Sequence, residues 1–205
     1  MSFTERLYND NIWQSDQSNY MQVKNSLTSY GVVAIVLHWL TAVGVIGLFS
    51  LGLWMDGLDY YHEYYRTAPH IHKSVGVLLI SLVILRFIWR QLNTKPEPLR
   101  SHDKWEIILA KIVHYVFYVL LLCMFISGYL ITTAEGDSLA VFNWFSLPSL
   151  ISSIPNLEDD AGKVHEIVAY SLIGLAILHV LGAFKHHFID KDLTLIRMIT
   201  PGENK

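Results

Sequence analysis

Cysteine and charge are both scarce in this 205-residue chain. A single cysteine, Cys123, excludes an intramolecular disulfide and any iron–sulfur or zinc cluster built from cysteines. Only 16% of the residues are charged, whereas an average soluble domain has about 25%. The net charge of −3 gives no electrostatic reason to expect a nucleic-acid partner. With 52% hydrophobic residues, the composition indicates a membrane protein.

Four apolar runs are long enough to cross a bilayer, which takes about 20 residues in a helix. They cover approximately residues 32–54, 71–90, 112–132 and 164–184. We therefore predict an all-α membrane protein, a four-transmembrane-helix bundle in residues 31–190. A polar segment, residues 1–30, precedes it, and we expect no cleaved leader there because a basic start and an apolar core are lacking. Residues 191–205 form a tail. The apolar stretch LAVFNWFSLPSLI is too short to span, and we interpret it as interfacial or re-entrant.

Lysine and arginine are distributed unevenly between the predicted faces, and cytoplasmic loops are enriched in them. One face carries eleven, namely Arg6, Lys24, Arg90, Lys95, Arg100, Lys104, Lys111, Lys185, Lys191, Arg197 and Lys205. The opposite face carries three, namely Arg66, Lys73 and Lys163. That face also carries eight acids, namely Asp56, Asp59, Glu63, Glu135, Asp137, Glu158, Asp159 and Asp160. We therefore expect both termini in the cytoplasm.

Histidines lie within the apolar runs, where polar groups are costly and usually functional. His165 and His179 are fourteen residues apart on the fourth run. They therefore share nearly one helix face and are separated by about 21 Å along the axis. By depth, His38 of the first run matches His179, and His72 of the second run matches His165. The spacing predicts two separate sites, one near each membrane surface.

Two imidazoles at one depth provide the axial ligand pair of a b-type haem. Zinc would require three or four clustered ligands, which this pattern lacks. No Cys-x-x-Cys-His motif is present, so the haem would be bound non-covalently. The alternative for any one of these histidines is a hydrogen bond between helices. His70 competes with His72 as the outer ligand, and we favour the deeper His72.

The remaining histidines and Arg86 have weaker functional signals, and most of them allow two interpretations. His114 could contact a haem propionate or a quinone, or bond a neighbouring helix. His186 and His187 read as interfacial anchors, with His187 also a candidate quinone contact. Arg86 could extend to the cytoplasmic surface or pair with a haem propionate. His62 and His102 are interpreted as solvated loop residues.

Several sequence motifs resemble the bacterial cytochrome b561 family of small diheme inner-membrane cytochromes. They are VLHW, IHKSVG, ILRFIWR, KIVHYVFYVLL, KVHEIVAY, ILHVLGAFKHHF and the ending IDKDLTLIRMI. The resemblance covers roughly residues 28–200. It implies four helices and two b haems with His38, His72, His165 and His179 as iron ligands.

The resemblance also implies electron transfer across the inner membrane, to or from ubiquinone. One family activity takes electrons from superoxide outside and reduces ubiquinone, and other members are cytochrome subunits that serve periplasmic redox partners. A positive outer surface would favour superoxide collection, whereas this outer face is acidic. Two non-redox alternatives stay open at this point: a metal transporter, and a structural membrane subunit tied by histidines. A transporter would favour clustered ligands near the midplane.

Overall fold

The computed structural model describes residues 22–99, 101–151 and 153–202, and four long helices dominate it. The helices are α1 (Val32–Asp56), α2 (Thr67–Leu92), α3 (Lys104–Thr133) and α4 (Leu157–Phe184). All four are long and apolar enough to cross a membrane. The prediction of a four-helix membrane bundle is thereby confirmed. The first 21 residues of the predicted N-terminal segment, and residues 203–205 of the tail, lie outside the described part.

Each helix extends beyond the apolar run from which it was predicted. The reason is that hydropathy identifies only the hydrophobic part of a helix, whereas its ends can be polar. α3 shows this most clearly, since it begins at Lys104. Asp103 caps its N-terminus in a reciprocal capping box with Glu106, whose side chain accepts the Asp103 N–H at 3.1 Å. At its far end, α4 continues directly into a π-helical turn, Lys185–Ile189.

The helices are arranged as two pairs. α1 packs mainly against α2, and α3 packs mainly against α4, whereas contacts between the two pairs are sparse. Large apolar side chains such as Val43, Ile46 and Ile167 remain exposed on the outside, as expected for surfaces that meet lipid. The interior between the pairs is therefore where a bound group can be accommodated.

A short antiparallel hairpin, which the all-α prediction did not include, fills the connection between α3 and α4. Its strands are β1 (Leu139–Val141) and β2 (Phe145–Leu147). Leu139 and Val141 are 3% and 0% exposed and pack against Val77 of α2. The Phe142 N–H donates to Ser74 Oγ at 3.0 Å, which fastens the turn to the same helix. The stretch interpreted as interfacial or re-entrant is thus a hairpin held on the side of α2.

The chain segments at the opposite end of the bundle lie close together in what we call the tail end, which comprises residues 22–31, 93–99, 101–103 and 190–202. Glu97 connects all three segments, since its N–H donates to Leu27 O at 2.8 Å and its carbonyl accepts from Arg197 Nη1 at 3.0 Å. Trp39 Nε1 donates to Met198 O at 2.7 Å, which holds the tail against α1. The segments predicted to share the cytoplasmic face therefore lie together.

Candidate haem sites

The outer histidine pair consists of His72 on α2 and His165 on α4. Their ring centroids lie 6.3 Å apart, with 65° between the ring planes. A metal ion about 2 Å from each ring nitrogen would hold the two centroids roughly 6 Å apart. The structure therefore brings these two residues to the spacing of a shared axial ligand pair. His70, the competing candidate, instead lies against Phe142 of the hairpin at 6.3 Å.

Ser127 of α3 fixes which nitrogen of His165 is free. Its Oγ lies 3.0 Å from His165 Nδ1 and 2.7 Å from the Cys123 carbonyl oxygen. The hydroxyl has one proton, and the carbonyl can only accept it, so Ser127 accepts a hydrogen bond from His165 Nδ1–H. In this tautomer His165 Nε2 carries the lone pair that a metal ion requires.

A cavity of about 680 Å³ opens beside the outer pair and is lined by both histidines. Two glycines border the rings, since a Cβ at Gly128 would lie 3.1 Å from His165 Cε1 and one at Gly52 would lie 3.5 Å from His72 Cε1. At Gly76 a Cβ would meet nothing within 4 Å, so this wall is open. His72 Nδ1 is buried without a partner among the described residues. An unpaired buried nitrogen indicates a site that a further group completes.

The charged side chains around this cavity are mostly acidic. They are Asp56, Glu135, Asp137, Glu158 and Glu166, with Lys73 as the basic member. Four of the eight acids assigned to the predicted outer face, Asp56, Glu135, Asp137 and Glu158, therefore line this cavity.

The inner pair consists of His38 on α1 and His179 on α4, with ring centroids 6.4 Å apart and 61° between their planes. The spacing again accommodates one metal ion between the rings. Both pairs thus bridge the interior between the two helix pairs, and α4 contributes one histidine to each.

Arg86 of α2 lies against the inner pair, and its Nη2 is 2.8 Å from His38 Nδ1. A guanidinium can only donate, so His38 Nδ1 accepts and the ring proton lies on Nε2. His38 can offer Nε2 as a neutral ligand only after Arg86 moves away from Nδ1. Among the described residues, Arg86 forms no salt bridge with a carboxylate. The arginine is directed into the bundle, not to the surface.

His114 and His187, the remaining sequence candidates, both lie towards the tail end. His114 Nδ1 lies 2.6 Å from Ala110 O, and its ring centroid is 5.6 Å from that of His179. His187 follows α4 in the π-helical turn, and its Nδ1 is buried without a partner in the described chain. Among the described residues, Trp89 Nε1 and Tyr118 Oη are also buried without a hydrogen-bond partner. Sequence reasoning missed the last two, because an aromatic residue in a span looks like core or lipid-facing packing.

His102 is less exposed than predicted, and both His102 and His186 contact Asp192. His102 was interpreted as a solvated loop residue, but its side chain is 17% exposed and its Nε2 lies 3.0 Å from Asp192 Oδ2. His186 Nδ1 lies 3.1 Å from the same oxygen. Burial raises the pKa of the Asp192 carboxyl, but hydrogen bonds from Thr194 and His102 outweigh it and hold that pKa below its usual value. Asp192 is therefore an anion at neutral pH.

The residues fit b-type haem: each site has two facing imidazoles, and the outer site has a cavity, bordering glycines and an unpaired nitrogen. When bound, the haem supplies one-electron oxidation and reduction of its iron.

Comparison with known proteins gives an assignment that agrees with this geometry. Residues 29–201 match the family model described as prokaryotic cytochrome b561. The chain is 42% identical over 179 residues to "Cytochrome b561 homolog 2" of Escherichia coli K12, covering 87% of this chain and 95% of that protein. It is 28% identical over 173 residues to "Probable superoxide oxidase CybB" of Yersinia pestis, covering 83% and 95%. It is 22% identical over 173 residues to "Cytochrome b561 homolog 1" of Escherichia coli K12, covering 84% and 98%. The chain therefore belongs to the prokaryotic cytochrome b561 family, multi-pass inner-membrane proteins that hold b-type haem and transfer electrons.

Proposed function

We propose that the protein is a diheme cytochrome that transfers electrons across the membrane, with His72 and His165 holding an outer haem and His38 and His179 an inner haem. The observation that carries this proposal is the presence of two facing imidazole pairs, at 6.3 and 6.4 Å, at different heights along α4. His165 and His179 are separated by about 21 Å along the axis of that helix, which would leave room for two separate haems. Family membership removes the metal transporter and the purely structural subunit.

The inner site has features suited to an anionic haem edge and to a quinone. A guanidinium inside a membrane bundle needs an anion, so we assign Arg86 to a propionate of the inner haem once it leaves His38. His114 lies beside His179 and is placed to line the same site. His187, with its unpartnered Nδ1 in the π-helical turn, is our candidate to hydrogen-bond a ubiquinone carbonyl.

The charges that line the outer cavity favour one kind of electron donor over another. One relative is named as a probable superoxide oxidase, which makes superoxide a candidate donor. Five carboxylates and one lysine line this cavity, however, and a negative mouth repels a small anion. The same mouth attracts a basic surface. We therefore favour a basic periplasmic redox protein as the partner, with superoxide as the second candidate.

Haem stoichiometry tests the central proposal. Haem-replete expression should give protein with two b haems per chain, seen as iron content and as reduced-minus-oxidised bands. One haem per chain, or none in folded protein, would overturn it.

The dependence of rate on salt separates the two donors. Reduction by superoxide should be slow at low ionic strength and become faster as salt screens the acidic mouth, whereas reduction by a small basic cytochrome should become slower. Exchanging Asp137 and Glu158 for amides should weaken both trends, and ubiquinone reduction can be followed in the same stopped-flow experiment. Superoxide oxidation near the diffusion limit at low salt would reverse our preference.

A further inference from the structure

The cluster at the tail end has the composition of a metal site that is separate from the haem ligands. We propose that His102, His186 and Asp192 bind a divalent transition-metal ion of the zinc class. These ligands come from the loop before α3, the π-helical turn and the tail. A bound ion would therefore join the loop before α3 to the turn and tail that follow α4, and His102 and Asp192 are 90 residues apart in sequence.

The donor atoms of the three ligand side chains already lie close to one another. Asp192 Oδ2 lies 3.0 Å from His102 Nε2 and 3.1 Å from His186 Nδ1, and Asp190 Oδ2 lies 2.8 Å from His186 Nδ1. In a tetrahedral zinc site with bonds of about 2 Å, neighbouring donor atoms are roughly 3.3 Å apart. The donor atoms of His102, His186 and Asp192 all lie within 4.8 Å of one another, so small side-chain movements would place them around one ion. Two imidazoles and carboxylate oxygen are ligands that zinc accepts well.

Charge in the cluster also favours a cation. Three carboxylates, those of Glu106, Asp190 and Asp192, lie around a single ammonium group, Lys185, which pairs with Glu106 at 2.6 Å and Asp190 at 2.7 Å. Asp192 does not share this lysine and instead contacts both imidazoles. A divalent ion would balance the remaining negative charge when the histidines are neutral.

Residues beyond the ligands would hold them in place, as is usual around metal sites. The Thr194 N–H donates to Asp192 Oδ1 at 2.8 Å, so the other oxygen is directed at the histidines. The Thr194 hydroxyl lies 3.1 Å from His102 Nε2. The side chains of His102, His186 and Asp192 are 7–18% exposed, so an ion has a route from solvent.

Metal analysis of the full-length haem-loaded protein tests the proposal. Protein in detergent, stripped with EDTA, would be dialysed against increasing zinc, and bound zinc would be measured against haem iron by mass spectrometry. We expect one saturable zinc per chain. Asp192→Asn and His102→Gln should each weaken binding by at least about tenfold, because removing a ligand should cost no less than removing a residue that supports one.

His62→Gln is the matched control, since His62 is exposed and outside the cluster, and it should bind zinc like the wild type. Haem absorbance of each variant reports folding independently of zinc. Should Asp192→Asn lose its haem, His102→Gln provides the comparison. Zinc should also raise the thermal midpoint of the wild type and not that of either ligand variant. Absent stoichiometric zinc, or equal binding by wild type and the ligand variants, would overturn the site.

Discussion

Replacing Ser127 by alanine should weaken the outer haem site selectively. The Ser127 hydroxyl is 3.0 Å from His165 Nδ1 and Ser127 is 3% exposed, so water has little access to replace it. Without it, His165 Nδ1–H loses this hydrogen bond and keeps only the backbone hydrogen bond with Met124, which costs about 0.5–1.5 kcal/mol. That free energy corresponds to an outer-haem affinity lowered roughly 2- to 13-fold, at about 1.4 kcal/mol per factor of ten.

Transfer of haem from purified protein to an excess of haem-scavenging globin measures this effect. Ser81→Ala is the control, because Ser81 also bonds the carbonyl one turn earlier, Val77 O at 2.9 Å, but contacts no histidine. Ser127→Ala should lose one haem faster and retain the other, whereas Ser81→Ala should behave as the wild type. Equal loss of both haems, or loss at the wild-type rate, would refute the tautomer argument.

Three further predictions concern the rest of the structure. His38→Leu and His179→Leu should each remove the same haem and leave the other, and loss of both in folded protein by haem spectra would contradict the pairing. Arg86→Met should lower inner-haem content in globin competition, since the propionate loses its cation, and unchanged retention would contradict that role. Leu139→Ala should lower the thermal midpoint by an amount equivalent to about 2–5 kcal/mol, while Leu150→Ala, at a position 80% exposed, should have little effect. Equal effects would show that the hairpin adds no stability.

Hydropathy was enough to predict the four helices. Depth was enough to predict which histidine rings face each other, His38 with His179 and His72 with His165. The reason is that a membrane span is a nearly straight rod, so a residue's position in the sequence gives its height. His38 and His179 were matched this way without any knowledge of tertiary contacts.

Features that depend on side-chain direction or on short segments were not predictable. The hairpin strands are three residues long, and their turn contains Phe142 and Asn143 at positive φ instead of glycine, so no familiar turn signal was present. His102 lies in a charged loop, and its contact with Asp192 ninety residues later has no local trace in the sequence. The start of α3 was also missed, because hydropathy marks only the apolar part of the helix, although Asp103 and Glu106 form a capping box there.

The sparse contact between the two helix pairs has a consequence for how the protein is assembled. Each pair, α1 with α2 and α3 with α4, can insert into the bilayer as its own hairpin, because its packing surface lies within the pair. Joining the hairpins then depends on groups that reach across, and α4 supplies a histidine for each bridge. A cofactor held by these histidines would therefore add to the contacts that the β1–β2 hairpin makes with α2 and that Trp39 makes with the tail, and would tie the two insertion units into one protein.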